Sequence, residues 1–210
     1  MTKHADEKPD AVRGRLRVLG QHTEHGGRGA TGKEEVLSSY DATPFVGLRT
    51  IVHGAAIQRL EEDGETTIEL PKLSQLLASV AVARCLMPIR LRGAEIRAIR
   101  HIMKNTLSDL AKKLDEKTAP ETVSRWESEA QPMGGYAEKL LRLLVCEELR
   151  KDAPGIEYNA SLIAHLKVRD PWRTDPTHQV PSVELWLLPL KDQRSGTITE
   201  AWNEHALKRA

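Results

Sequence analysis

Four polar residues, Glu121, Thr122, Ser124 and Arg125, share one side of a short predicted helix. With Val123 and Trp126 turned inward, a helical period of 3.6 residues turns these four away from the core. A guanidinium can donate two hydrogen bonds to guanine, a carboxylate can accept one from cytosine, and a hydroxyl can reach phosphate or base. We therefore expect these residues to be candidates for contacting DNA bases in the major groove.

The sequence marks the starts of two successive short helices. Thr118 stands three residues before Glu121, which predicts a capping box, and Pro120 suits a first helical turn because it has no amide hydrogen. Thr106 stands three residues before Asp109 in the same way. The positive end of this earlier helix is then free to face a phosphate, with Thr106 as a contact.

Apolar residues recur at helical spacing on four segments around these starts. They are Ile96, Ile99 and Met103; Leu107, Leu110, Ala111 and Leu114; Val123 and Trp126; and Leu140, Leu141 and Leu144. Such spacing predicts four helices that each bury one face. The region from 91 to 145 therefore predicts a small helical core that carries a helix-turn-helix.

Each candidate base contact also has a structural interpretation. Glu121 is explained fully by the capping box with Thr118, and this interpretation is favoured for it. Arg125 could pair with Glu121 or with Glu129, although an exposed arginine on such a helix is the commonest specific partner of guanine. On an ordinary surface helix, Ser124 and Thr122 would be polar residues without a functional role.

Five short motifs carry a family resemblance: LRGAEIR at 91–97, LA at 110–111, ETVSRWE at 121–127, QP at 131–132 and LLRLL at 140–144. The region resembles the helix-turn-helix of the Xre/Cro class and, more narrowly, the MqsA/YgiT-type antitoxin-regulators, with a weaker likeness over 40–84. The resemblance implies a dimer that binds a palindrome in its own promoter, often while its N-terminal part sequesters a toxin. It also places Arg125 on the family's base-reading arginine.

The family's zinc ribbon holds its ion with two Cys-x-x-Cys-Gly turns, and this chain lacks their cysteines. HTEHG at 22–26 and LEEDG at 60–64 stand in their places. A structural zinc site has four ligands, so His22, His25 and Asp63 leave it one short unless Glu61 joins them. We expect no bound metal and no cofactor.

Charge in the helical region favours a nucleic-acid partner. Over 84–125 there are ten basic residues (Arg84, Arg90, Arg92, Arg97, Arg100, Lys104, Lys112, Lys113, Lys117, Arg125) against five acidic ones (Glu95, Asp109, Asp115, Glu116, Glu121). Such an excess attracts phosphates whatever the base sequence. Lys112, Lys113 and Lys117 flank the predicted turn and, with Thr106, are the candidate phosphate contacts.

Composition restricts the class of protein. The 210 residues are 40% hydrophobic, 29% charged and 4% aromatic, with a net charge of +1. No apolar run approaches the roughly 20 residues of a membrane span, and no hydrophobic block follows the N-terminal charges, so we expect a cytoplasmic protein. Cys85 and Cys146 lie in apolar helical surroundings and are predicted to be buried free thiols.

The chain divides into four predicted segments: a flexible arm over 1–39, a small αβ module over 40–87, a helix-turn-helix domain over 88–150 and a C-terminal extension over 151–210. The first module should hold short antiparallel strands with a hairpin turn at 62–64 and an amphipathic helix over 72–86. The extension should hold a helix over 162–166, a strand over 183–188 stopped by Pro189, and a helix over 199–207. The expected fold is mainly α, an Xre/Cro-like bundle with a small β-containing module before it and a short α/β extension after it.

These observations predict a sequence-specific regulator of transcription, not an enzyme. It should bind double-stranded DNA as a homodimer, as a repressor of its own operon, at an inverted repeat. The alternative is an antitoxin whose residues 40–86 cover a protein toxin. A metal-dependent enzyme using His22 and His25 ranks far below both, because no nucleophile or third ligand accompanies them.

Overall fold

The computed structural model describes residues 34–60, 65–191 and 196–204. Its helices are α1 (Thr43–Val46), α2 (Leu73–Leu86), α3 (Gly93–Ile102), α4 (Leu107–Leu114), α5 (Pro120–Glu127), α6 (Gly135–Leu149) and α7 (Ala160–Ala164). Its strands are β1 (Glu34–Val36), β2 (Ser39–Asp41), β3 (Thr50–His53), β4 (Ile57–Leu60), β5 (Thr66–Glu69), β6 (Val183–Lys191) and β7 (Ile198–Asn203). A 3₁₀ turn covers Pro171–Arg173.

The strands form two sheets, and the fold is α/β, so the expectation of a mainly α fold is wrong. One sheet has the order β1-β4-β5 and is antiparallel throughout. The other has the order β2-β3-β6-β7, in which β3 and β6 run parallel and pair Val52 with Leu185. A strand from the C-terminal extension thereby completes the sheet of the N-terminal module, a long-range pairing that local sequence patterns do not reveal.

Two differences in the extension account for much of the extra β-structure. The predicted helix over 199–207 is wrong for its described part, because β7 occupies Ile198–Asn203 and pairs with β6. Pro189 does not end β6. Among the described residues, β7 alone pairs with β6 beyond Trp186. In that part of the chain the other edge of β6 has no partner strand at Pro189, and such edges tolerate proline.

Strands and helices in the N-terminal module follow the prediction more closely. The pair β4 and β5 is antiparallel, while the expected turn at 62–64 lies outside the described residues. Glu34–Val36 and Ser39 lie in strands although they fall in the segment expected to be a flexible arm, and 1–33 lie outside the description. Helix α2 occupies nearly the predicted range, but residues 78–85 are all buried rather than one face alone.

Helix α2 is buried on all sides because it lies between the helical bundle and the mixed sheet. It contacts α3 and α6 on the bundle side and β6 and β7 on the sheet side. A helix with apolar residues all round is expected in such a central position. None of the helices in the described part of the chain has the length and apolar composition that a bilayer span requires.

The four predicted helices of the bundle are present, and their apolar faces are buried as expected. Ile96, Ile99, Leu110, Val123 and Leu141 are each at most 2% exposed. Leu107, Leu140 and Leu144 are partly buried and pack against the same core. The 3.6-residue periodicity therefore locates the bundle correctly.

Two buried arginines fix the connection between α2 and α3. Arg84, 1% exposed, donates from Nε and Nη2 to the carboxylate of Glu95, at 2.5 and 2.8 Å, and from Nη1 to the carbonyl of Ile89. Arg142, fully buried, donates to the carbonyls of Cys85 and Ile89 and to the carboxylate of Glu138. The otherwise unpaired carbonyls at the end of α2 thus receive charged donors.

We expect Arg84→Met to lower the free energy of unfolding by about 3 to 5 kcal/mol, because it leaves the Glu95 carboxylate buried without its partner. Urea denaturation measures the change. Arg150→Met alters an exposed arginine and should have little effect. The double variant Arg84→Met/Glu95→Leu should recover much of the loss, and a double variant as unstable as Arg84→Met would contradict this account of the pair.

Candidate nucleic-acid interface

The candidate base contacts lie on the outward side of α5, as the periodicity predicts. Val123 and Trp126 are buried, at 0% and 7% exposure, whereas Glu121, Ser124 and Arg125 are exposed and Thr122 is intermediate. Helices α4 and α5 pack against each other and are separated by residues 115–119. Four groups able to donate or accept hydrogen bonds therefore share one solvent-facing side of an eight-residue helix.

The predicted capping box at the start of α5 is absent. The N-cap is Ala119 rather than Thr118, and no side chain caps the helix, although Pro120 does begin it. A one-residue shift removes Thr118 from the position where its hydroxyl could meet the third amide of the helix. Glu121 has no hydrogen-bond or ion-pair partner within the described chain, so capping does not explain it.

The arginine at 125 is also unpaired in the part of the chain that the structure describes. The two alternative partners considered for it are Glu121 and Glu129. Glu129 instead binds Arg92, with Nε–Oε1 and Nη2–Oε2 distances of 2.7 and 2.6 Å. That bidentate hydrogen bond holds the pKa of the Glu129 carboxyl below its usual value. The Arg125 guanidinium is consequently free to bind an external acceptor.

The end of α5 is held rigidly against α3. Glu127, 7% exposed, accepts hydrogen bonds from Nε and Nη2 of Arg100, at 2.6 and 3.0 Å. The Glu129 carboxylate also accepts a hydrogen bond from the amide of Gly93, the first residue of α3. Glu129 thereby caps the start of α3, where the side chain of the N-cap residue Arg92 forms no capping hydrogen bond. These charge-assisted bonds set the angle at which α5 presents its outer face.

At the start of α4, Thr106 and Asp109 form the predicted capping box. The amide of Asp109 donates to the Thr106 hydroxyl at 3.1 Å, and the amide of Thr106 donates to the Asp109 carboxylate at 3.0 Å. The hydroxyl of Thr106 itself donates to the same carboxylate at 2.6 Å, which lowers the pKa of Asp109. Because the Thr106 hydroxyl already donates its proton to Asp109, it is not available to donate to a phosphate. At this position only neighbouring backbone amides could contact a phosphate.

The three candidate phosphate contacts among the lysines are not equivalent. All three are exposed. Lys113 donates to the side chains of Asn105 and Glu148, at 3.1 and 2.9 Å, and so turns towards α6. Lys112 and Lys117 have no side-chain partner in the described residues and remain the stronger candidates.

The bundle carries less free positive charge than its sequence count suggests. Ion pairs occupy Arg84, Arg90, Arg92, Arg97, Arg100 and Lys113. Among the ten basic residues, Lys104, Lys112, Lys117 and Arg125 are left without an ion pair in the described chain. A count of residues does not distinguish a buried, paired arginine from an exposed one. Among the ten, the positive charge available to bind an anion is therefore limited to these four side chains.

The four side chains weighed as zinc ligands, and not expected to bind the metal, lie outside the described part of the chain. They are His22, His25, Glu61 and Asp63. Within 34–60, 65–191 and 196–204, no group of three His, Cys, Asp or Glu side chains is arranged to hold a metal. Cys85 and Cys146 are buried free thiols, as predicted, and burial raises the pKa of Cys85 to about 12 and that of Cys146 as well.

The sheet that β4 and β5 of the N-terminal module form with β1 exposes two large apolar side chains among the described residues. Val36 and Leu60 are exposed, at 59% and 48%. Val36 pairs with Ile57, and Ile57 lies three residues from Leu60 on β4, so the two exposed side chains point to opposite faces of the sheet. They do not form one apolar patch on the described part of this module.

We expect Gly93→Ala to disturb the packing of α3 against α5, although the substitution removes no polar group. A Cβ at this position would overlap the carbonyl oxygen of Glu127 and lie 2.8 Å from that of Trp126, so α3 and α5 must separate. The free energy of unfolding should fall by about 1 to 3 kcal/mol. Gly135→Ala is the matched control, since nothing lies within 4 Å of its Cβ position. Equal urea midpoints for the two variants would contradict the close approach.

Comparison with known proteins does not identify the chain. Searches against protein-family models, curated proteins and solved structures find no match. The resemblance to MqsA/YgiT-type regulators therefore rests on the five sequence motifs. The roles assigned to individual side chains rest on their positions in the bundle and on the partners that they have or lack.

Proposed function

We propose that the protein is a sequence-specific double-stranded DNA-binding regulator that reads its operator through α5. The observation that carries the proposal is the unpaired, exposed guanidinium of Arg125 on a helix whose opposite face is buried. An arginine that is free, exposed and rigidly supported is the side chain best suited to a bidentate contact with guanine. Glu121, Thr122 and Ser124 are the accompanying base contacts.

The arrangement of α4 and α5 supports the same proposal. Two short helices meet at a five-residue connection, and the first begins at an exposed capping box. In helix-turn-helix proteins the second helix lies in the major groove while the first crosses the backbone. Lys112 and Lys117 then lie near the turn, where they can contact phosphates on either side of the groove.

The protein acts in this proposal as a cytoplasmic homodimer and represses its own operon. One eight-residue helix reads only a few base pairs, so a second copy supplies the remaining affinity and specificity. Twofold symmetry of the protein requires an inverted repeat whose half-sites lie about one helical turn apart, roughly 10 bp between centres. No metal or cofactor takes part.

Arg125→Ala should weaken binding to the cognate site by about 1 to 3 kcal/mol and relax the base preference there, with unchanged thermal stability. The measurement is a gel shift against the DNA upstream of the protein's own gene, with scrambled DNA as competitor at near-physiological salt. Arg150→Ala removes an exposed arginine on α6's C-terminal side and serves as the matched control. An equal loss of affinity for cognate and scrambled DNA would contradict a base-reading role for Arg125.

Lys112→Ala should weaken binding to all DNA sequences and reduce the slope of log affinity against log salt concentration by about 1. Lys113→Ala should change that slope less, because Glu148 and Asn105 already hold the Lys113 ammonium. Fluorescence anisotropy over a salt series measures both slopes. A larger change for Lys113→Ala than for Lys112→Ala would show that the ion pair with Glu148 opens on DNA and would overturn this assignment.

A further inference from the structure

A groove of about 410 Å³ lies where the C-terminal extension meets the helix-turn-helix. Its lining comes from the start of α3, the end of α5, residues 129–133 and residues 170–176. A volume of this size suits a small molecule rather than a folded partner. None of the DNA contacts proposed above lines it.

The segment that forms the outer side of the groove is anchored to the bundle. The amide of Arg90 donates to the carbonyl of Arg169, and the amide of Arg169 donates to the carbonyl of Pro88, both at 2.9 Å. Arg90 also forms an ion pair with Asp170 at 2.9 Å. The groove is therefore a built feature of the fold and not a gap beside a loose loop.

Aromatic and apolar side chains dominate the lining. Trp126 and Trp172 both contribute, with Met133, Pro132 and Pro176. The Trp172 ring is oriented by a hydrogen bond from Nε1 to the carbonyl of His178, at 2.7 Å, and by the Arg92 guanidinium 5.0 Å from its centroid. A ring fixed in this way offers a preformed surface to a flat apolar ligand.

The charged side chains of the lining favour an anionic ligand. Arg90 and Arg92 are neutralised by Asp170 and Glu129. Arg173, the remaining charged residue of the lining, has no partner among the described residues and is exposed. An unpaired guanidinium beside aromatic walls suits a carboxylate attached to a flat ring.

We propose that this groove binds a small aromatic carboxylate, with Arg173 on the carboxylate and Trp172 and Trp126 against the ring. The ligand would contact α5 directly, because Trp126 belongs to that helix. It would also contact α5 through Gln131, which lines the groove and whose amide donates to the carbonyl of Arg125 at 3.2 Å. Binding thus reduces the freedom of α5 relative to the extension. Its effect on DNA affinity rests on the proposed function, while the ligand site does not.

The test uses the full chain, with indole-3-acetate as the probe and indole-3-acetamide as its uncharged match. Isothermal titration calorimetry should give one site that prefers the acid by about tenfold, a usual gain for a charge-assisted pair. Arg173→Gln should abolish this preference and Trp172→Ala should weaken both probes. Arg150→Gln, an exposed arginine outside the groove, should change neither. No binding, equal binding of acid and amide, or an unchanged preference in Arg173→Gln would overturn the proposal.

Hydrogen exchange tests the effect on α5 without DNA. Saturating indole-3-acetate should slow amide exchange over 120–133 in the wild type and not in Arg173→Gln; unchanged exchange in the wild type would overturn the coupling to α5. Gel shifts with and without the probe then address regulation, where an affinity change of about fivefold or more is expected. Failure to bind DNA in the absence of the probe would refute the proposed function alone and leave the calorimetric result standing.

Discussion

The structure depends on burying two arginines with their carboxylate partners at the passage from α2 to α3. Arg84 is paired with Glu95 and Arg142 with Glu138. The two guanidinium groups also donate hydrogen bonds to the carbonyls of Cys85, in the last turn of α2, and of Ile89, in the connecting chain. Removing four charged groups from water is costly, and such pairs often contribute little net stability compared with apolar replacements. Their consequence is geometrical, because the observed path of the chain satisfies these buried donors and acceptors together.

That path determines how the outer face of α5 is presented. The start of α3 follows directly from it, and Gly93 lets α3 approach the end of α5 closely. Arg100 and Arg92 then bind Glu127 and Glu129 at the end of α5. The outer face of α5 can remain polar and unpaired because its inner face and its C-terminal end are held by these contacts. The same contacts supply one wall of the groove that faces Trp172.

The sequence predicts the helices and one of the two capping boxes well, and the pairing of distant strands poorly. Helical periodicity located α3 to α6 and their buried residues, and the spacing of Thr106 and Asp109 identified a real capping box. The same spacing of Thr118 and Glu121 does not correspond to a capping box, because the N-cap of α5 is Ala119. The sequence count includes Arg84 and Arg100 in the positive charge of residues 84–125. In the structure both arginines are buried and paired with Glu95 and Glu127, which a count of residues cannot show. The parallel pairing of β3 with β6 joins distant segments, so no local pattern could reveal it. This pairing, together with β7 in place of the expected helix, explains why the expectation of a mainly α fold is wrong.

We propose above all that α5 enters the major groove of DNA and that two copies of the protein do so together. Hydroxyl-radical footprinting of the DNA upstream of the protein's own gene tests this claim most directly, since it reports contacts at single-nucleotide resolution. We predict two protected patches related by an inverted repeat and centred roughly 10 bp, or a multiple of that spacing, apart. Uniform weak protection along the whole fragment, or a single unpaired patch, would contradict the account.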